Sequence, residues 1–167
     1  AAIAGISYDK YAEENVAADE KLYTAKKGVQ SRDTGKTPDD RCLGCPTVCE
    51  VCTDVCPNRA NVAIHVPGKC KAQIIHVDGM CNECGNCEVF CPYKGGRPYK
   101  DKFTLYWSEE DFLDSTNEGF LPLEGTQVKV RLDGKVETVD IAGETDLSAD
   151  AVAVIRTVLK DYEYLIH

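Results

Sequence analysis

The stretch that decides the reading is CNECGNCEVFCP, residues 81–92. Its cysteines fall at Cys81, Cys84, Cys87 and Cys91, with Pro92 directly after, giving C-x2-C-x2-C-x3-C-P. That spacing ligates 4Fe–4S clusters. Three thiolates on one tight loop can grip three irons of a cube, and the three residues before Cys91 turn the fourth thiolate away. Pro92 has a fixed φ and no amide hydrogen, so it helps set the exit from the loop. A second copy lies upstream in CPTVCEVCTDVCP, residues 45–57, with Cys45, Cys49, Cys52 and Cys56 before Pro57. Its second half keeps the pattern, but its first gap is one residue longer. Cys42 stands three residues before Cys45, so five cysteines occupy a four-ligand motif. Cys45 is the preferred ligand, because a three-residue gap asks only for a local bulge, and Cys42 is the alternative.

The two motifs flank a β-hairpin. Residues 61–66 and 73–78 are β-like runs joined by a turn holding Pro67 and Gly68. Pairing His65 with His76 sets Ile64 against Val77 and Val66 against Ile75. Val62, Ile64, Val66, Ile75 and Val77 then share one face, where clusters would be covered, and the two histidines point to the other side. Cys70 lies in the turn between Lys69 and Lys71 without a motif around it, so an exposed free thiol is expected.

Two motifs separated by a hairpin resemble a bacterial-type two-cluster ferredoxin over residues 42–99. In such proteins the fourth cysteine of each motif serves the other cube. The resemblance therefore implies two 4Fe–4S clusters. Cys45, Cys49, Cys52 and Cys91 would hold the first, and Cys81, Cys84, Cys87 and Cys56 the second. RCLGCPTVCEVCTDVCPNRANVAIHVPG and HVDGMCNECGNCEVFCPYKGGRPYKDKFTL further resemble the C-terminal ferredoxin region of the selenate reductase subunit family. These are large iron–sulfur flavoproteins related to the small subunit of glutamate synthase, and the resemblance covers most of residues 41–167. It implies a neighbouring flavoprotein domain using FAD and NAD(P)H, and a molybdenum hydroxylase as a partner.

Composition narrows the alternatives. The chain has 167 residues, room for one domain or a small domain with arms. All ten cysteines fall within residues 42–91, whereas a secreted disulfide scaffold spreads its cysteines along the chain. Structural zinc on paired C-x2-C knuckles is a different-class alternative, and a standalone soluble ferredoxin is another. The net charge of −9 argues against a nucleic-acid partner. No run of 18 apolar residues is present to span a bilayer. Residues 1–6 are apolar without a preceding base and do not make an intact signal peptide, so a cytoplasmic location is expected. The missing Met suggests processing or excision from a longer chain.

Charge is segregated as well. Residues 1–40 have 8 acidic and 6 basic residues, residues 41–100 have 5 and 7, and residues 101–167 have 15 and 6. Arg41, Arg59, Lys69, Lys71, Lys94, Arg97 and Lys100 therefore sit around the cysteines while the acid is displaced into the tail. That distribution suits a docked relay rather than a diffusing carrier, whose cluster surface is commonly acidic.

The expected architecture is α+β: a polar N-terminal arm and linker (1–40), a two-cluster ferredoxin-like core (41–100) and a C-terminal extension (101–167). The arm carries a thin helical stripe over residues 9–26. In the extension, residues 103–107 read as a strand and 108–114 as a short helix with acids in its first turn. Residues 127–132 and 136–141 form a hairpin around Asp133-Gly134-Lys135. A three-residue loop there sets Arg131 opposite Glu137 and keeps Val136 with Val128, Val130 and Leu132. Ser148 caps a final helix reaching about Tyr162, with Ala151, Ile155, Val158, Leu159 and Tyr162 on its apolar stripe. No Gly-rich phosphate loop, Ser–His–Asp set or supported carboxylate pair gives the chain a catalytic site of its own.

Overall fold

The computed structural model describes residues 49–91 and 102–167. The expectations for residues 1–40 and for Arg41, Cys42, Cys45, Pro92, Lys94, Arg97 and Lys100 lie outside the described residues.

The fold is α+β. A six-stranded sheet runs in sequence order through β1 (Asn61–Ile64), β2 (Gln73–Val77), β3 (Thr104–Leu105), β4 (Gly119–Pro122), β5 (Gln127–Leu132) and β6 (Lys135–Asp140). The β2–β3 and β3–β4 pairs are parallel and the others antiparallel. The helices are α1 (Val51–Asp54), α2 (Asn86–Val89), α3 (Glu109–Asp114) and α4 (Ala149–Asp161). No described helix is long and apolar enough to cross a membrane.

The first hairpin forms where the alternating residues place it, in a different register. Asn61 pairs with His76, Val62 with Ile75, Ala63 with Ile74 and Ile64 with Gln73. The expected His65–His76 pairing does not occur. The His65 amide leaves the ladder and donates to the Tyr162 hydroxyl at 2.8 Å, and the Lys69 amide closes a turn onto the Val66 carbonyl. Lys69 also pairs with Asp150 of α4 at 2.8 Å. These contacts pull the loop toward α4. Because the register moves by an even number of residues, Val62, Ile64, Val66, Ile75 and Val77 still share a face.

The second hairpin corrects the expected loop. Leu132 pairs with Lys135 and Arg131 with Val136, so two residues make the turn, not three. Asp133 and Gly134 both have positive φ, 50° and 74°, the type I′ geometry that matches strand twist. Removing one loop residue reverses the faces of β6. Val136 therefore leaves the side of Val128 and Val130 and is 51% exposed.

Ser148 forms its expected cap, and Ser108, expected inside the short helix, stands before it as a cap. Ser108 accepts from the Asp111 amide at 3.1 Å, and Ser148 accepts from the Ala151 amide at 3.3 Å. Ala151, Ile155 and Val158 are buried as expected, joined by Val154. Arg131 ties α3 to the sheet by donating to the Phe112 and Asn117 carbonyls, with its guanidinium 4.2 Å above the Phe112 ring.

Strand β4 was not apparent in the sequence, and a glycine lets it form. A Cβ on Gly119 would lie 2.1 Å from the Thr104 carbonyl oxygen in β3, where only backbone could yield. Gly119→Ala is expected to lower unfolding free energy by about 1–3 kcal/mol through overpacking. Val136→Thr at the exposed edge should stay within about 0.5 kcal/mol. Denaturant unfolding of the two variants checks the contrast.

Candidate metal centre

The cysteine loops repeat one local device. Glu50 follows Cys49 with φ 60°, and Gly85 follows Cys84 with φ 78°. Each left-handed residue reverses the chain into a one-turn helix, α1 or α2, whose second residue is Cys52 or Cys87. Both of those cysteines are buried, and they pack with Ile74, Ala63 and Val55 in a small core of their own. The two helices contact each other, and α1 also contacts β1.

Four of the expected ligands come together. Cys56, Cys81, Cys84 and Cys87 line one cavity with Asn58, Asn61, Asn82, Glu83 and Gly85. The Ala60 amide donates to the Cys56 sulfur at 3.2 Å, and the Glu83 amide donates to the Cys81 sulfur at 3.3 Å. Burial pushes the Cys81 thiol up from its ordinary value. The Glu83 amide opposes that, and negative charge on Cys56 and Cys87 adds to it. These thiols feel one another, so gathering them as thiolates needs a positive core between them. The donor set fits an iron–sulfur cluster on that ground: four soft sulfurs from two loops, with amide donors at two of them. Among the described residues, no three His, Cys, Asp or Glu side chains form a group suited to a single metal ion.

Of the other expected set, Cys52 is buried and Cys49 and Cys91 are half-buried, while Cys45 lies outside the described residues. No disulfide joins the described cysteines. Cys70 is exposed, as its isolation in the loop predicts.

The expected cluster-covering face of the hairpin is corrected. Ile64, Val66, Ile75 and Val77 face the main core with Phe103, Leu105 and α4. The cysteine loops pack on the opposite face, at Ala63 and Ile74. His76 is therefore on the cysteine side, not turned away from it. Its Nδ1 lies 3.1 Å from Asn61 Oδ1, and Asn61 Nδ2 donates to the Cys52 carbonyl at 3.2 Å. His76 and Asn61 thus position the cysteine loop against the sheet. The signal was available in the alternation: Asn61, Ala63, Ile74 and His76 occupy the second face together.

Burial pulls His76 down from 6.5 to about 4. Between those values the unfolded chain binds a proton that the folded chain refuses, so stability falls as pH drops from about 6.5 to 4. At the lower end the loss should reach about 3 kcal/mol. His76→Gln should flatten that slope in denaturant unfolding of the metal-free chain across this range. Separately, Glu50→Gly should gain about 1 kcal/mol by relieving a left-handed non-glycine residue, read as a shift in the denaturation midpoint.

Two curated relatives, from Escherichia coli O157:H7 and Escherichia coli (strain K12), are both named "Putative oxidoreductase YgfK". They are 44% and 51% identical to this chain over 133 and 107 residues. The matches cover 75% and 62% of this chain, but 13% and 10% of the relatives. The chain thus spans roughly a tenth of the length of the curated relatives it matches. No family model and no solved structure matches it.

Proposed function

We propose that this chain transfers electrons through two 4Fe–4S clusters as the ferredoxin portion of a larger oxidoreductase. The observation that carries the reading is the cavity lined by Cys56 together with Cys81, Cys84 and Cys87. It takes one cysteine from the upstream motif and three from the downstream motif, the crosswise division expected of a two-cluster protein. Cys45, Cys49, Cys52 and Cys91 are the corresponding ligands for the other cluster. The relatives' shared name supports a redox role.

Bound clusters would accept and release single electrons. The chain's residues hold the thiolates, exclude water and limit reorganisation around them. Cys52 and Cys87 are anchored in the small core with Ile74, while amides aimed at Cys56 and Cys81 stabilise negative charge on sulfur. Electrons would enter from a flavoprotein domain using FAD and NAD(P)H and leave to a terminal oxidoreductase such as a molybdenum hydroxylase.

The purified chain should carry about eight irons and eight acid-labile sulfides. Cys70→Ser should leave the visible absorption unchanged, and Cys84→Ser should lose or convert a cluster. Cys45→Ser should disrupt the upstream cluster while Cys42→Ser does not. Dithionite should bleach the chain, whereas NADH or NADPH should do so only after a flavoprotein domain is added. Zinc in place of iron, or direct reduction by NAD(P)H, would sink the proposal.

A further inference from the structure

Parallel pairing carries Trp107 to the turn that leads into the cysteine cavity. Val77 of β2 faces Leu105 of β3, so two residues further on Gly79 and Trp107 come side by side. Gly79 lies in the one-turn 3-10 helix Asp78–Met80, and the Cys81 amide closes that turn on the Asp78 carbonyl at 2.8 Å. A Cβ on Gly79 would overlap Cε3, Cδ2 and Cζ3 of the indole, so the ring occupies the place of a side chain. Gly79 does not have a positive φ, so space alone demands glycine there. The indole is held in turn from far along the chain. Trp107 Nε1 donates to the Leu165 carbonyl at 2.8 Å, and the His167 ring lies 5.0 Å from the indole. Leu165 is buried in the main core just past α4, which makes its carbonyl a fixed point. A rigid ring with one N–H to aim has little freedom left between that carbonyl and Gly79.

We propose that Trp107 is a positioning residue for the Cys81 thiolate. The indole fixes Gly79, Gly79 fixes the turn, and the turn sets where Cys81 enters the cavity lined with Cys56, Cys84 and Cys87. Cys81 needs such support more than its neighbour in the motif. Cys87 is anchored in the small core with Ile74, whereas Cys81 is half-buried and outside that core. Groups that orient a ligand in this way tune the metal it holds. The purpose of the contact therefore rests on the cluster reading proposed above. The contact itself needs no metal, and its first test needs none.

The test labels the whole 167-residue chain, free of metal, with iodoacetamide and follows each cysteine by mass spectrometry. Trp107→Phe keeps an aromatic ring but loses the Nε1 hydrogen bond. It should speed Cys81 labelling about fivefold, the weight of one hydrogen bond. Cys49, half-buried in the upstream motif, should keep its rate, which a general loosening of the fold would not allow. Gly79→Ala should act in the same direction, and combining it with Trp107→Ala should remove the effect of the added methyl. If Gly79→Ala fails to fold, Trp107→Phe decides. The loaded chain gives a second measurement, which decides should the metal-free chain not hold its fold. There Trp107→Phe should raise the reduction potential of the cluster on Cys56, Cys81, Cys84 and Cys87, because water admitted at Cys81 favours the more negative reduced state. The upstream cluster should keep its potential. Absence of iron from the unaltered chain would count against the electron-transfer reading, and the labelling would still decide this one. An unchanged Cys81 rate in Trp107→Phe, an equal rise at Cys49, or an unchanged potential in the loaded variant would overturn the proposal.

Discussion

The structure depends on β2 being buried on both faces. All five of its residues are buried, an uncommon state for a strand so close to a sheet edge. Ile75 and Val77 press into the main core with α4, while Ile74 lies under Cys52 and Cys87. One strand therefore serves two cores, and the cysteine loops have no separate platform. A change at Ile74 acts on the cysteines through packing, whereas a change at Ile75 acts on the α4 core. The polar residues of β2 take part as well: His76 reaches the Cys52 carbonyl through Asn61.

Much of this was legible in the sequence. The α+β class, both hairpins, the Ser148 cap and the stripe of α4 follow from alternation, capping chemistry and helical period. The failures have specific causes. Alternation fixes which residues share a face but not what that face meets, so the richer stripe of the first hairpin was assigned to the clusters when α4 takes it. The second hairpin failed on its turn. Asp133-Gly134 closes with two residues because both adopt positive φ, and that reversed the face of Val136. Strand β4 was missed because its partners are fixed by a close approach at Gly119, which no local pattern announces. At the candidate site, motif spacing alone named the cysteines. Asn61 and His76 had no motif and became visible only when the register was known.

The charge distribution also reads differently once partners are seen. The bases of the cysteine segment appeared to face a docked neighbour, with the acid set apart in the tail. Lys69 instead reaches across to Asp150 on α4, so one of these bases binds the chain's own acidic segment. That ion pair is partly exposed and contributes little to stability by itself. Its effect is positional: it draws the hairpin loop toward α4, on the side where the His65 amide meets Tyr162. The bases available to an external partner are correspondingly fewer than the sequence count suggests. Asp78 and Glu83 of the cysteine segment meanwhile line one cavity with Asp111 and Asp114 of the tail, beside Cys81, so the acid of the tail reaches the cysteine end through the fold.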